Sequence, residues 1–329
     1  MKRAIVTGGA GFIGSHMVDL LLERDFEVRV IDNLVTGRLD NLAHQASNPR
    51  CVIHQIDVCD LPNNSSLFAG VDQVFHFAGI GDIVPSIERP LEYMRANVQG
   101  TLAVLEAARH AGVRKLVYAA SSSCYGLATE VPTPETAAIQ CEYPYALSKY
   151  MGECAALHWQ QVYRLPVNTI RIFNAYGPRS RTSGAYGAVF GVFLAQKLKG
   201  QPYTVVGDGS QKRDFVFVTD VARAFLAAAE TDESGEVFNV GAGNPQPVTR
   251  LVELLQGPVV YVPKRPGEPD CTWADIGKIQ KRLGWSPHVS FEEGVATMLK
   301  QIDYWAKAPV WTPSSIADAT KVWFQYLNQ

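Results

Sequence analysis

The chain has 329 residues, of which 47% are hydrophobic and 19% charged, and its formal net charge is −2. This balance is typical of a globular enzyme and argues against a nucleic acid or an anionic membrane surface as the main partner. No apolar run reaches the roughly 20 residues that span a bilayer. The first residues run directly into a strand pattern with no targeting peptide, so we expect a cytoplasmic protein.

The cysteines are scattered along the chain. None forms a Cys-x-x-Cys pair, and none has the spacing to histidine that is typical of a metal site. We therefore predict reduced thiols, mostly small buried side chains, and no bound metal. The six positions are Cys51, Cys59, Cys124, Cys141, Cys154 and Cys271.

Short β-branched runs alternate with longer helical patterns in the first half of the chain. This alternation predicts βαβ units and a parallel sheet, which binds ligands at the carboxyl ends of its strands. The predicted strands are Ala4–Thr7, Glu27–Asp32, Val52–Asp57, Gln73–Ala78, Lys115–Ala120 and Asn168–Phe173. The predicted helices are Gly11–Glu23, Asn97–Ala111 and Tyr145–Tyr163.

The pattern loosens after Asn174. The segment Pro178–Gly187 is rich in Pro, Gly, Arg and Ser and predicts a loop. Shorter elements follow, namely helix Ala188–Leu198, strands Thr204–Val206 and Phe215–Val218, helix Val221–Ala229, and strands Val237–Val240 and Val259–Val262. We predict an α/β protein: a Rossmann-type, doubly wound parallel sheet over residues 1–174, with part of 214–243 returning to it, and a smaller mixed α/β substrate-binding lobe over residues 175–329.

The last stretch of the chain, Pro309–Gln329, repeats apolar side chains at helical spacing. We expect this C-terminal helix to pack onto its own subunit, because an aromatic stripe marks a core more often than an interface. Contact with a partner subunit is the alternative. The residues of the stripe are Ile316, Ala319, Trp323 and Tyr326.

A glycine-rich segment, Thr7–Gly14, follows the first predicted strand and opens the first helix. Its glycines allow a tight turn and close backbone approach to a pyrophosphate, which the helix N-terminus meets with free N–H groups. The next strand ends at Asp32, whose carboxylate can accept hydrogen bonds from an adenosine ribose and would repel a 2′-phosphate. NAD is therefore the expected cofactor. The turn residues expected to contact it are Gly8, Gly11, Phe12, Ile13 and Gly14.

Two further strand ends and one helix start are expected near the cofactor. The end of the third strand can meet the adenine edge, the end of the fourth passes beside the cofactor where small residues are needed, and the helix start braces the active site. An ordinary strand end or helix cap is the alternative for each. Asp57 and Val58 end the third strand, Phe77, Ala78 and Gly79 end the fourth, and Asn97 begins the helix.

Tyr145 and Lys149 lie four residues apart and share one face of a predicted helix. A nearby ammonium favours the phenolate of a tyrosine, whose ordinary pKa is about 10. The pair is therefore a candidate proton-transfer group for alcohol and ketone chemistry, although the same spacing occurs on many solvated helices. The fifth strand ends in the hydroxyl run Ser121–Ser123, where a parallel sheet presents its ligands.

Together these motifs resemble those of the extended short-chain dehydrogenases/reductases and, within them, the nucleotide-sugar epimerases. The resemblance covers nearly the whole chain. It rests on Thr7–Gly14, Asp32–Leu34, Asp57–Val58, Ser121–Gly126, Tyr145 with Lys149, Arg171–Asn174, Tyr176–Arg179, Gly207–Gly209, Arg213–Phe215 and Arg265–Glu268.

The resemblance implies a role for each matching residue. Tyr145 would be the catalytic acid/base, Lys149 its partner and a ligand of the nicotinamide ribose, and Ser121 the catalytic serine. Additional NAD contacts are implied for Asn33 and Phe173. A nucleoside-diphosphate sugar would be bound by Asn174, Arg213 and Arg265 at the phosphates, Glu268 at a ribose, and Ser122, Ser123 and Thr272 at the sugar.

The resemblance also implies a homodimer, formed through a four-helix bundle that includes the helix Tyr145–Tyr163. A seam of apolar or small residues is expected on that helix. Its members are Met151, Ala155, Ala156 and Trp159.

Some residues depart from the family pattern. Relatives that remove water across C4 and C6 usually carry Thr-Asp-Glu where this chain has Ser121–Ser123. Cys124 replaces an aliphatic residue and is either a proton donor or a buried filler. Small residues at Cys271 and Thr272 resemble those of enzymes that accept N-acetylhexosamines.

Our leading hypothesis is a 4-epimerase of a UDP-hexose or UDP-N-acetylhexosamine that serves polysaccharide, lipopolysaccharide or glycoconjugate synthesis. A dehydratase or decarboxylase that acts through the same 4-keto sugar is the first alternative. A non-catalytic NAD-sensing protein is the second.

Overall fold

The structure is a computed structural model that describes residues 1–180 and 189–327. Most of the predicted loop Pro178–Gly187, and the predicted helix start at Ala188, lie outside these residues. The strands are β1 (Arg3–Thr7), β2 (Glu27–Asp32), β3 (Cys51–Gln55), β4 (Gln73–His76), β5 (Lys115–Ser121), β6 (Val167–Ile172), β7 (Asn174–Tyr176), β8 (Tyr203–Val206), β9 (Lys212–Arg213), β10 (Phe215–Phe217), β11 (Glu236–Val240), β12 (Gln246–Pro247) and β13 (Val259–Val262). The helices are α1 (Phe12–Glu23), α2 (Ile83–Glu88), α3 (Pro90–Met94), α4 (Gly100–His110), α5 (Pro144–Tyr163), α6 (Val189–Leu198), α7 (Val218–Glu230), α8 (Val248–Leu255), α9 (Gly277–Leu283), α10 (Phe291–Lys300) and α11 (Pro313–Tyr326).

Seven strands form the central sheet, in the order β11-β6-β5-β4-β1-β2-β3. Neighbouring strands in it pair in parallel. The order reverses between β1 and β4, so a crevice opens at the carboxyl ends of these two strands, where doubly wound sheets bind ligands. The predicted Rossmann-type sheet is confirmed.

Helices cover both faces of the central sheet, which explains why its strands are continuous apolar runs. On one face α1 and α7 bury side chains such as Leu21 and Phe225 against the sheet. On the other face α4 and α5 bury Leu105 and Ala156. The two cores hold the sheet rigid, and its carboxyl edge is left to the loops that form the site.

A smaller mixed lobe contains the strand pairs β7–β10, β8–β13 and β9–β12 with α6, α8 and α10. Its core is rich in aromatic side chains, including Tyr176, Phe190, Phe215, Phe291 and Trp305. Several of these rings stack or meet edge to face, an arrangement that adds to the stabilisation from burial alone. The division of the chain into two domains stays a prediction.

The strand ends predicted from sequence agree with the structure to within two residues in the first half of the chain. The predicted helix Asn97–Ala111 is wrong at its start, because Arg95–Gln99 forms a π-helical turn and α4 begins at Gly100. The predicted helix Val221–Ala229 begins three residues earlier, at Val218. Across the described residues, we find no helix whose length and apolar character would allow it to cross a membrane.

Candidate active site

A cavity of about 940 Å³ opens at the carboxyl edge of the sheet and continues into the smaller lobe. Residues of the central sheet edge and of the smaller lobe both contribute to its walls. Its volume is large enough for a dinucleotide and a second ligand side by side. The predicted site residues that line it are Gly8, Gly11, Phe12, Ile13, Gly14, Asp32, Asn33, Asp57, Val58, Phe77, Ala78, Gly79, Ser121, Ser122, Ser123, Tyr145, Lys149, Phe173, Asn174, Arg213, Arg265, Glu268 and Thr272.

The glycine-rich turn between β1 and α1 forms one end of the cavity. Gly8 has a φ of +68°, and a side chain there would meet the backbone of Phe77 and Ala78 at 2.7–2.9 Å. A side chain at Gly14 would collide with the carbonyl of Gly8. Helix α1 begins directly after Gly11, so the N–H groups of its first turn face the cavity without a side-chain cap. This is the geometry that binds a pyrophosphate.

Asp32 lies at the end of β2 and is largely buried. Its two carboxylate oxygens each accept one backbone hydrogen bond, from Ala10 at 3.0 Å and from Leu34 at 2.8 Å. Burial raises the pKa of this carboxyl, and the two hydrogen bonds oppose that rise. The oxygens keep further lone pairs for the hydroxyls of a ribose.

Asp57 follows β3 and is held in two ways. One oxygen accepts the Cys59 backbone N–H at 2.9 Å, and the other pairs with the Arg95 guanidinium at 2.9 Å. Although burial opposes it, the hydrogen bonds from Cys59 and Arg95 lower the pKa of Asp57, so the carboxylate is ionised at neutral pH. Its position suits hydrogen bonding to an adenine edge.

Asn97 does not line the cavity, although the sequence predicted it as a cofactor contact. It is completely buried behind the wall. Its side-chain oxygen accepts the Ile80 backbone N–H at 2.8 Å, and its amide donates to Ser148 Oγ at 2.9 Å. A side chain at Gly79 would press on the Asn97 oxygen at 2.6 Å. Asn97 therefore fixes the loop after β4 against α5, in agreement with the bracing role also expected for it.

The catalytic candidates meet where β5 ends and α5 begins. The Tyr145 hydroxyl lies 3.4 Å from Ser121 Oγ, which also accepts the Ser123 backbone N–H at 3.2 Å. Pro144 occupies the first turn of α5 and fixes the start of the helix immediately before Tyr145. Lys149 lies one turn further along, with its ammonium 4.5 Å above the ring of Tyr118.

The protonation states of this pair differ from the sequence-based expectation. Burial raises the pKa of Tyr145, and the hydrogen bond with Ser121 only partly opposes that rise. Burial also lowers the pKa of Lys149 to about 7, against the opposing charge of Glu153. In the protein alone the expected lowering of the tyrosine pKa by Lys149 is therefore not found, because burial outweighs it and Lys149 is itself only partly protonated near pH 7.

Ionised side chains cluster at the opposite end of the cavity. Glu268 pairs with Arg213 at 2.9 Å and with Arg265 at 2.8 Å. Burial would raise the pKa of Glu268, but the two guanidiniums bring it below its ordinary value. The Arg213 guanidinium also donates to the Pro269 carbonyl at 2.9 Å, which fixes the Arg213 side chain. The cluster presents guanidinium groups suited to phosphate oxygens.

Thr272, which was expected to contact the sugar, lies next to Asn174, which was expected to contact the phosphates. Its hydroxyl donates to Asn174 Oδ1 at 2.6 Å, which leaves the amide N–H groups of Asn174 for another acceptor. Cys124 is buried with Tyr125 and Phe173, and burial raises the pKa of its thiol to about 12. The filler interpretation of Cys124 fits this placement, whereas a proton donor would need access to the cavity.

Asp82 and Trp323 are among the cavity residues that were not predicted as part of the site. Asp82 begins the turn into α2, and its negative charge contributes to the raised pKa of Tyr145. No motif marks this aspartate, because the site is assembled from a loop whose path the sequence does not reveal. Trp323 also lines the cavity, and its place in an apolar stripe had indicated only packing within the subunit.

The fold and the cavity define the chain as an extended short-chain dehydrogenase/reductase. More particularly, the model of the family described as GDP-mannose 4,6 dehydratase matches residues 5–298, and the chain belongs to that family.

Related proteins match most of the chain. It is 35% identical to a putative UDP-glucose 4-epimerase of Methanocaldococcus jannaschii, over 92% of this chain and 98% of the relative. It is also 35% identical to UDP-glucuronic acid decarboxylase 1 of Arabidopsis thaliana, over 90% of this chain and 69% of the relative. A solved UDP-glucuronic acid 4-epimerase of Bacillus cereus, in complex with UDP-glucuronic acid and NAD, superposes with a TM-score of 0.85 at 30% identity, covering 92% of this chain and 99% of that chain.

Proposed function

We propose that this protein is an NAD-dependent 4-epimerase of a UDP-sugar, with UDP-hexose or UDP-N-acetylhexosamine as substrate. The observation that carries the proposal is the placement of Tyr145 beside Ser121 at the buried centre of one continuous cavity. A dinucleotide cradle lies at one end of this cavity and a guanidinium cluster at the other. The relatives act on UDP-sugars, which agrees with such a division of the cavity.

NAD fits the cofactor end on the residues present. The N–H groups at the start of α1 suit its pyrophosphate, and side chains at Gly8 or Gly14 would collide with neighbouring backbone and distort the turn that presents them. Asp32 suits the adenosine ribose and disfavours the additional phosphate of NADP. Bound NAD supplies a hydride acceptor and donor for the C4 carbon of the sugar.

The chain supplies the proton transfer. As a phenolate, Tyr145 accepts the proton of the C4 hydroxyl and returns it after the 4-keto sugar has presented its other face. The positive nicotinamide of bound NAD and a protonated Lys149 would favour this phenolate. Ser121 donates a hydrogen bond to the same oxygen in both states. Lys149 has a pKa of about 7, so its charge changes near neutral pH. When Lys149 is protonated it favours the phenolate of Tyr145, and when it is neutral it does not.

The guanidinium cluster has a separate task in this scheme. Arg213 and Arg265, fixed by Glu268, hold the diphosphate while the sugar turns. Because this anchor lies apart from Tyr145, the sugar can rotate about its diphosphate without release. An epimerase that returns hydride to the opposite face needs such an arrangement, whereas a simple oxidase does not.

A UDP-uronate decarboxylase is the second candidate, because a plant decarboxylase is among the relatives. Both reactions begin with oxidation at C4. Asp82 disfavours a uronate, however, since it lines the same cavity and its negative charge would repel the carboxylate of the sugar. We therefore expect a neutral sugar to be preferred over a uronate.

We further propose a homodimer through α4 and α5, with a seam that differs from the predicted one. Ala156 and Trp159 face the core of their own subunit, and the Trp159 ring N–H donates to Glu106 at 2.7 Å. Ala155 also packs on that core. The exposed apolar side chains of α5 include Leu147, Met151 and Val162, which recur at helical spacing. These side chains are suited to a partner helix.

The proposed reaction is tested by Tyr145→Phe, with Tyr163→Phe on the exposed side of the same helix as the matched control. Loss of the hydroxyl should lower kcat by about 100-fold or more, as expected for a general acid/base, while bound NAD is retained. The control should keep full turnover. Equal activity of Tyr145→Phe and the wild type on UDP-sugars would exclude the proposed role of the tyrosine.

A further inference from the structure

The C-terminal helix α11 lies outside the part of the chain that the family shares. The family match ends at residue 298, whereas α11 spans Pro313–Tyr326. The helix therefore lies outside the residues that the family model matches.

The segment before α11 is firmly anchored to the smaller lobe. Trp305 is almost completely buried in the aromatic core of that lobe, and Gln196 Nε2 donates to the Trp311 carbonyl at 2.7 Å. The helix then begins with a reciprocal cap between Thr312 and Ser315. An anchored approach and a capped start indicate a helix with a defined position rather than a frayed tail.

The inner face of α11 borders the cavity. Its buried residues, Ile316, Thr320 and Trp323, recur at helical spacing and lie on one side of the helix. That side packs against α2, which follows the loop after β4 and contributes Ile83 and Val84 to the cavity wall. The helix thus contacts a wall that belongs to the NAD-binding side of the cavity.

Trp323 joins the two sides of the cavity. Its ring lies 6.3 Å from the ring of Tyr143, the residue before the α5 start, and 5.2 Å from the Arg265 guanidinium. Its ring N–H donates to the Pro266 carbonyl at 2.7 Å. Tyr143 in turn stacks parallel to Tyr145 at 6.4 Å. Trp323 therefore connects Arg265, a residue of the proposed diphosphate anchor, with Tyr143, which in turn contacts Tyr145.

We propose that α11 forms a wall of the substrate cavity and that Trp323 is a positioning and specificity-determining residue for the sugar nucleotide. This inference rests on the proposed function. The indole holds Arg265 in place through its ring face and through the bond to the Pro266 carbonyl. It also limits the space beside Tyr143, where a pyranose ring has to turn.

The chemistry of the wall indicates which part of the ligand it recognises. An indole face offers apolar contact to the C–H face of a hexose and a cation–π contact to a guanidinium. It offers no donor to the sugar, because its N–H is engaged by Pro266. Trp323 should therefore strengthen the binding of UDP-sugars more than the binding of UDP alone, and it should favour sugars with small C2 substituents over sugars with bulky ones.

Calorimetric titration of the NAD-loaded enzyme tests the proposal, with UDP, UDP-glucose and UDP-N-acetylglucosamine as probes. The variants are Trp323→Ala, Trp323→Phe, a chain that stops after residue 312, and Tyr326→Ala as the control on the outer face of α11. We expect Trp323→Ala and the shortened chain to weaken UDP-glucose binding about tenfold. UDP-N-acetylglucosamine should lose less than UDP-glucose, and Tyr326→Ala should match the wild type.

Retention of wild-type affinities for both sugars in Trp323→Ala would overturn the proposal, as would an equal loss for UDP and for both UDP-sugars. If Trp323→Ala fails to fold by circular dichroism, Trp323→Phe decides. It keeps the ring face, so it should bind UDP-glucose within about threefold of the wild type if ring contact matters, and a greater loss would contradict the proposal. A wild type that binds the sugars without turning them over would contradict the proposed function while leaving this inference standing.

Discussion

Lys149→Met should stabilise the protein at acidic pH although it removes a predicted catalytic residue. Burial lowers the pKa of Lys149 from 10.5 to about 7, a difference of about 3.5. Because each pKa unit corresponds to about 1.4 kcal/mol, the buried ammonium costs up to about 5 kcal/mol of stability below pH 7. Its contact with the Tyr118 ring offsets part of that cost.

The sign of the pH dependence follows from the lowered pKa. Below pH 7 the lysine is charged in both the folded and the unfolded chain, so the full cost applies. As pH rises from 7 towards 10.5 the folded protein has lost the proton and the unfolded chain has not, so wild-type stability increases. A methionine of similar length has no proton to lose and removes this dependence.

Urea unfolding of the protein freed of nucleotide measures the effect. At pH 6 Lys149→Met should be more stable than the wild type by about 2–5 kcal/mol, and the advantage should fall by about 3 kcal/mol at pH 9. Lys281→Met, at an exposed position of α9, is the matched control and should show no such trend. A constant difference between pH 6 and pH 9, or destabilisation at pH 6, would refute the reasoning.

Three further changes test separate parts of the structure. Gly8→Ala should release most of the bound NAD, because the added carbon meets the Phe77–Ala78 backbone and distorts the glycine-rich turn. Absorbance after denaturation measures the NAD content, and full retention would contradict the proposed binding of NAD at this turn. Arg213→Met should raise KM for the UDP-sugar about 10–100-fold, through loss of charge-assisted phosphate bonds, with NAD content unchanged; an unchanged KM would remove Arg213 from the anchor. Met151→Arg should convert the proposed dimer to a monomer in native mass spectrometry, whereas a persistent dimer would place the interface elsewhere.

The sheet was predictable because its signals are local. Each strand of the first half is a short apolar run that ends at a polar or glycine position, and the glycine turn can form only where a strand passes into a helix. For the same reason Asp32 and Ser121 could be assigned to one edge of the sheet, whereas the roles of Tyr145 and Lys149 on α5 came from the family resemblance. The carboxyl ends of parallel strands meet there whatever the intervening loops do.

Properties that depend on tertiary packing were not predictable. The charge of Lys149 follows from how deeply α5 is buried, which spacing does not reveal. The inward face of α5 was misjudged because small residues such as Ala155 and Ala156 suit a helix interface and a helix–sheet contact equally well. Asn97 lies in a π-helical turn that directs its side chain behind the wall rather than into the cavity.

Trp323 shows the same limit at the C-terminus. Its spacing with Ile316 correctly indicated burial, but not what buries it. The partners Tyr143 and Pro266 are distant in sequence, and no local signal connects them with the last helix. The proposed role of Trp323 therefore rests on contacts that only the tertiary structure shows.

The central claim is that hydride removed from C4 returns to C4 without exchange with solvent. Proton NMR of the purified protein with UDP-glucose or UDP-N-acetylglucosamine in D₂O tests it most directly. We expect formation of the corresponding 4-epimer with no deuterium at C4. Deuterium at C5 or C6, or loss of water or carbon dioxide from any UDP-sugar in a wider series, would contradict it.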